Sequence, residues 1–561
     1  MENSIDKFIP TDNFRGPCDW GPCDSPTMRD GFIPDESTPI KYISLFFQIL
    51  RYDDASNPNY DGEYINDIIY YMNQAYLPWK IQFTYDWQYT NSTQYWHVVD
   101  WPEFIGMKEF YVVDHLSQCN IYIAYFTLDG NDYSWAIHAQ EDWAITKRNG
   151  IILSPYTFPY NTSFVPSHEM GHALGLFHTF RGVSETTPCT ACWESIGAIN
   201  RDVTGDFCSD TEPAPLNLNC NYPPGIDQCT GISWDDVLNE NFMGYSFACD
   251  HSFSSQQAGR MHCWVEDRLP DWISYATFNA ENRFGEAPVI TTFTGISGYD
   301  ELTWDWDFGD EGTSLEQSPT HTYSIPGVYN VSIQADMEGG SFDDAKEGYI
   351  WVHADTVKID SVVAEGDSQI RVDISMRNFV PIQILEIPIS WDGSFGMTLD
   401  SVSTEGLRTN YLPLVEFTGV YTSERWATVV LNSLTQTDIQ PGTGAVASLY
   451  FTVPSDISPG DNPITISSYM QNSLSSITRK GTYQPESVDG NVKICYSGEV
   501  DGKEGVNVLD VVLLINYKYK GGPAPSPLEA GEINGIPPIN ILDIVYLINF
   551  IYKDGPAPIC Q

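Results

Sequence analysis

The chain has 561 residues, more than one hydrophobic core organises, so several domains are expected. Its 75 acidic residues against 27 basic ones give a formal charge of −48, which argues against nucleic acid or an anionic membrane surface as a partner held by general charge attraction. No apolar run reaches the ~18 residues of a membrane-spanning helix, so no membrane span is expected. The acidity suits a soluble extracellular protein, and acidic loops can hold calcium. Plain solubility or adaptation to salt would leave the same composition.

Residues 1–37 are rich in Pro, Gly and Asp and read as a loop-like segment. The start lacks a basic region followed by an apolar run, so the sequence is expected to begin after a removed leader. Residues 38–280 then alternate strand-like and helix-like runs: Ile40 to Leu50, the helix-like Ile65 to Tyr76, and Asn120-Ile121-Tyr122-Ile123. Ile151-Ile152-Leu153 reads as a buried strand, and Ser167 is expected to cap the helix that follows.

That helix carries the most informative stretch, His168-Glu169-Met170-Gly171-His172-Ala173-Leu174-Gly175-Leu176-Phe177-His178. His168 and His172 lie four apart, so on a helix they share a face and can reach one zinc ion. Gly175 suits the left-handed turn that ends the helix and lets His178 return as third ligand. Three protein ligands leave zinc an open position, the mark of a catalytic rather than a structural site. Glu169 projects beside the metal, placed to act as general base and acid. A bare H-E-x-x-H arises by chance in many helices, but the added glycine and third histidine at fixed offsets make coincidence a poor account.

Downstream lies Asn241-Phe242-Met243-Gly244-Tyr245-Ser246. The extended motif with a later Met-containing turn is the metzincin pattern. Residues 38 to 270 resemble the pappalysin family of metzincins, through these motifs together with Gly205-Asp206 and Asp210-Thr211. The resemblance implies an α+β zincin fold, with a twisted sheet carrying the active-site helix, and peptide-bond hydrolysis in a protein or peptide substrate laid along the sheet edge. It makes Met243 the hydrophobic floor under zinc and Tyr245 the group that stabilises the oxyanion. Asp206, Asp210 and Thr211 become candidate calcium ligands, with loop capping through local backbone bonds as the equal alternative. Relatives that favour a basic residue after the scissile bond carry an acid where this chain has Ala248, so a less basic, apolar preference is expected; Asp250 could partly substitute.

Ten of the twelve cysteines lie between Cys18 and Cys263, a distribution that favours disulfides in an oxidising compartment. Resemblance to pappalysins suggests bridges joining Cys189 to Cys229 and Cys220 to Cys249, with Cys192 an alternative to Cys189. Cys18 and Cys23 are expected to pair with each other or with the body. A thiolate there on the open zinc position, as a latency switch, is the competing reading.

Residues 286–354 carry Trp304-Asp305-Trp306-Asp307-Phe308-Gly309-Asp310, Pro319-Thr320-His321-Thr322-Tyr323 and Gly327-Val328-Tyr329-Asn330-Val331. They resemble a PKD domain, a small β-sandwich, in which His321 is a structural residue rather than a ligand. Residues 356–494 are strand-rich, with runs such as Ile370-Arg371-Val372-Asp373-Ile374 and Ala445-Val446-Ala447-Ser448-Leu449-Tyr450-Phe451. They are similar to a cohesin-type sandwich, and a generic sandwich spacer is the equal alternative.

The remainder, residues 495–561, contains a repeat: Gly505 to Asn516 recurs as Pro538 to Asn549, and each copy is followed by Gly-Pro-Ala-Pro. It resembles a small α-helical dockerin, two calcium-loop-helix units. Asp501, Asn507 and Asp510 are candidate calcium ligands, but Lys503 and Glu504, and Ile536 and Pro537 in the second copy, degrade the loops. A Cys495–Cys560 disulfide is expected to clasp the module.

Two functions therefore compete. One is a secreted zinc endopeptidase with accessory modules. The other is an extracellular adhesion or scaffold protein with a non-essential protease domain, which assembles through its cohesin-like and dockerin-like modules, with a partner of that type or with itself.

Overall fold

A computed structural model describes residues 21–561 apart from 61, 63, 156–163, 235–236, 238–239, 247–248, 300–301, 339, 365, 367, 392–395, 422–424, 434–436, 455–456, 458–459, 469–471, 495–497, 499, 501–505, 526–527, 557 and 559–561. The expectations placed on Cys18, Ala248, Cys495, Asp501 and Cys560 lie outside the described residues. The chain divides into two compact units. One holds residues up to Arg283 with 289–323 and 329–350; the other holds 284–288, 324–328 and 351 onward.

The first unit is built on a mostly parallel sheet. Its strands are β1 (Lys41–Arg51), β2 (Ile81–Asn91), β3 (Cys119–Ile123), the two-residue edge strand β4 (Trp135–Ala136) and β5 (Ile151–Leu153), in the spatial order β2-β1-β3-β5-β4. Only β4 runs antiparallel to its neighbour among these five. β1 is buried along nearly its whole length, as expected of a strand covered on both faces. Helix α1 (Tyr64–Tyr76) buries Ile65, Ile68, Ile69, Met72 and Tyr76, a helical stripe turned to the sheet. Helix α2 (Phe164–Ala173) follows β5, and α3 (Ser255–Arg268) returns after a long, loop-rich segment. Ile121, Leu153, Met170, Met243, Met261 and Trp264 share one apolar cluster, so sheet, α2, the Met turn and α3 are packed as one body.

A β-sandwich completes this unit. The strand Ala276–Glu281 already pairs with Val289–Ser297, so the sandwich starts ten residues before the expected position 286. Trp306 lies at its centre, its ring 5.2 Å from Phe278 and 5.3 Å from Phe293. His321 bonds Asp310 at 2.8 Å and stacks on Phe308 at 4.2 Å, a structural role.

In the second unit, residues 356–494 form a two-sheet sandwich. Its longest ladder runs antiparallel from Ser368↔Val453 to Asn378↔Gly442. Val372, Ile374, Leu385, Ile387, Val429 and Leu449 fill the space between the sheets. Two helices follow, Val508–Lys520 and Ile541–Lys553. Each opens with the same capping box, Asn507 with Asp510 and Asn540 with Asp543. Leu514 and Leu547 face a shared small core, while Val508, Leu509, Val512 and Tyr519, and their repeat equivalents Ile541, Leu542, Val545 and Tyr552, are exposed.

Candidate metal centre

Helix α2 starts at Phe164, three residues before the expected cap. Ser167 is therefore inside the helix, not its N-cap, and its carbonyl accepts from the Tyr76 hydroxyl at 2.7 Å. The helix reaches back past Pro166 because proline is tolerated in a first turn, where its missing N–H has no intrahelical partner to lose. All ten residues of α2 are buried.

Gly175 adopts φ +98°, and a Cβ there would meet Trp264 Cδ1 at 2.5 Å, so both backbone and space demand glycine. The Leu176 N–H bonds the Gly171 carbonyl at 2.8 Å, and the chain turns to bring His178 back. The Nε2 of His172 lies 3.0 Å from that of His168 and 3.1 Å from that of His178. The opposite edges are all engaged: His168 Nδ1 meets the Phe242 carbonyl at 2.6 Å, His172 Nδ1 the Leu176 carbonyl at 2.9 Å, and His178 Nδ1 a Glu185 carboxylate oxygen at 2.6 Å. Each acceptor fixes the proton on Nδ1, so three Nε2 lone pairs converge on one point. Burial keeps His168 and His172 neutral, holding His168 down at about 3 and His172 well below its ordinary range. Three unprotonated nitrogens this close repel one another unless a cation lies between them, and three imidazoles are a donor set suited to zinc.

Glu169 is buried on the same helix, and desolvation lifts its carboxyl to about 8; a nearby divalent cation would oppose that rise. Met243 is fully buried, and its carbonyl accepts from Thr179 N at 3.1 Å, tying the Met turn to the residue after His178. Asn241 caps that turn through Met243 N at 2.9 Å. The same amide exchanges two hydrogen bonds with Gln257, at 2.8 and 3.1 Å, and Gln257 also completes the capping box of α3. The ring of Tyr245 stands 4.9 Å from His178 and 5.5 Å from His168. The structure thus brings His168, Glu169, His172, His178, Met243 and Tyr245 together.

Asp206 is buried and caps its own loop: its oxygens accept from Cys208 N at 3.0 Å and Thr211 Oγ1 at 2.8 Å. Burial raises its carboxyl to about 7, against those bonds. Asp210 accepts from Gln256 N at 2.9 Å and Ser254 Oγ at 2.7 Å, at the start of α3. In the C-terminal repeat, both oxygens of Asp510 are taken by the N–H groups of Val500 and Asn507, and the Asn507 side chain accepts from Leu509 N. Disulfides join Cys189 to Cys229, Cys220 to Cys249 and Cys23 to Cys263, and Cys192 is disulfide-bonded as well.

Two neighbours of the trio were not singled out by the sequence. Glu185 bonds His178, and His138, just after β4, lies with its ring 4.6 Å from His172. No spacing rule reaches His138. An acid seven residues after the last ligand was the only available signal for Glu185.

Residues 126–266 match the family model described as pregnancy-associated plasma protein-A, and residues 277–352 match that of the PKD domain. Human pappalysin-1 is 40% identical over 134 residues, which are 23% of this chain and 8% of that protein. An extracellular metalloprotease of Neurospora crassa is 28% identical over 231 residues, 39% of this chain and 73% of the relative. Among solved structures, a chain of a type I cohesin–dockerin complex from Clostridium thermocellum is 19% identical, covering 25% of this chain and 99% of its own, with a TM-score of 0.23, too low to define a fold. The motif, its geometry and the matched span agree: the chain carries a metallopeptidase domain of the pregnancy-associated plasma protein-A (pappalysin) family, followed by a PKD domain.

Proposed function

We propose that this chain is an extracellular zinc endopeptidase with accessory binding modules. The observation that carries the reading is the convergence of three Nε2 atoms whose Nδ1 atoms are all spoken for, with Glu169 on the same helix and Tyr245 above. His168, His172 and His178 would hold zinc, which when bound lowers the pKa of water and polarises a carbonyl oxygen. Glu169 takes the proton of the attacking water as it adds to the peptide carbonyl, and then delivers that proton to the leaving amine. The Tyr245 hydroxyl donates a hydrogen bond to the oxyanion that develops in the tetrahedral intermediate. Met243 supports the histidines from beneath. The edge strand β4 offers main-chain groups to which an extended substrate can add as a strand. Asp206, Asp210 and Thr211 form the candidate calcium loop of this domain, and the disulfides suit an oxidising, extracellular setting.

The test is cleavage of a diverse peptide mixture read by mass spectrometry, beside Glu169→Ala and with zinc content measured on both. Cleavage by the native chain alone supports the peptidase, and its side-chain preference tests the apolar expectation drawn from Ala248. A zinc-loaded native chain that cleaves nothing sinks it.

A second reading has its own support in the two terminal helices, which leave four apolar positions exposed at equivalent places in each repeat. It holds that the cohesin-like and dockerin-like modules assemble chains or recruit a partner. Light scattering across concentrations decides on self-assembly: mass that grows with concentration supports it, and a constant monomer mass removes it.

A further inference from the structure

We infer that Glu185 is the positioning residue of the metal centre: its carboxylate fixes the tautomer and orientation of His178 and thereby sets how tightly the three histidines hold zinc. The inference rests on the zinc reading above.

His168 and His172 are held by the helix that bears them, and their Nδ1 atoms donate to main-chain carbonyls, which no side-chain substitution deletes. His178 has left the helix. It is also the least buried of the three. Its ring is located by neighbouring side chains instead, with the edge-on ring of Tyr245 among them. Phe180 stacks on one face at 4.4 Å with an interplanar angle of 14°, and Glu185 Oε1 accepts a hydrogen bond from Nδ1–H at 2.6 Å.

The acid is itself fixed. It follows the short helix Arg181–Ser184, where Ser184 N bonds the Phe180 carbonyl at 2.8 Å and Ser184 Oγ accepts from Leu216 N at 2.7 Å. On its other side, Thr186 Oγ1 donates to the Arg181 carbonyl at 3.0 Å. A charged acceptor on the far nitrogen makes a stronger hydrogen bond than a carbonyl and raises the basicity of the ligating one. The centre therefore has two ligands backed by main chain and one backed by a side chain, and its affinity is adjustable at that one place.

The test uses the full chain and Glu185→Gln and Glu185→Ala, each stripped of metal and titrated with zinc against a chromophoric chelator. The expected result is zinc binding weakened by about 10–100-fold in the alanine variant, and by less in the near-isosteric glutamine variant, whose amide oxygen still accepts. The metal-free melting temperature should stay at the native value, because a merely structural role would lower it instead. Zinc affinity within about twofold of native in both variants overturns the inference while leaving the metal centre standing. A metal-free melt that falls in both variants also overturns it. A native chain that takes up no zinc overturns the inference and the zinc reading together.

Discussion

Gly171 and Met243 are matched in size: a Cβ placed on Gly171 would lie 2.5 Å from the methionine sulfur. The absence of a side chain at Gly171 is what lets the Met turn rise beneath the two ligating histidines of α2. Gly171→Ala should overpack this fully buried contact, at about 1–3 kcal/mol in unfolding free energy, and should lower zinc affinity in step. Met243→Leu, which keeps the volume, should cost under about 1.5 kcal/mol. Denaturant unfolding of the metal-free chain and zinc titration of each variant check both values.

Glu169→Gln should keep the fold and the zinc, because the three ligating nitrogens are untouched, and should lose activity by about 100- to 10,000-fold. Stripping zinc with a chelator should abolish cleavage in the native chain, and adding zinc back should restore it. An intact rate in the glutamine variant at full zinc occupancy would remove Glu169 from the mechanism.

The sequence announced these ligands because a helix converts four-residue spacing into a shared face and a glycine into a turn. Both rules are local. Glu185 and His138 reach the same site through the packing of a loop and of an edge strand, and local periodicity holds no record of that. Ser167 differs for a related reason: a serine before an apolar helical run looks like a cap, yet Phe164 and Val165 find tertiary burial and draw the helix backward. The sandwich beginning at Ala276 shows the same limit, since its first strand is defined by a partner at Val289–Ser297 and not by a break in composition.

A pH dependence of stability should come from His262 on α3. Its Nδ1 accepts from Lys41 Nζ at 2.6 Å and its Nε2 donates to the Trp79 carbonyl at 2.8 Å. Burial, with the Lys41 ammonium beside it, lowers its pKa to about 4; Glu266, which pairs with Lys41 at 2.5 Å, opposes that shift. The folded value lies below the unfolded one, so the unfolded chain binds the extra proton first. The associated stability is complete above pH ~6.5 and is lost as the pH falls through about 4, by up to ~3 kcal/mol. Urea midpoints measured from pH 7 to 4 should fall, and the fall should flatten in His262→Gln.

Cys23–Cys263 closes the largest loop among the described disulfides, spanning 240 residues, and Asp24 beside it pairs with Arg260 on the same helix. Cys23→Ser with Cys263→Ser should cost about 2–5 kcal/mol of stability. Thermal melts of native and variant chains, at equal zinc occupancy, measure it.

The paired amides of Asn241 and Gln257 have a further consequence. One side chain finishes the turn under the histidines, and the other finishes the first turn of α3, so the two backbone segments cannot loosen separately. Helix ends are where thermal fraying begins. On warming, the support under the metal should therefore yield with the start of α3, while the sheet behind it is still intact. Catalytic failure would then precede loss of the sheet, so the working temperature ceiling of the enzyme would be set by this amide pair and not by its core.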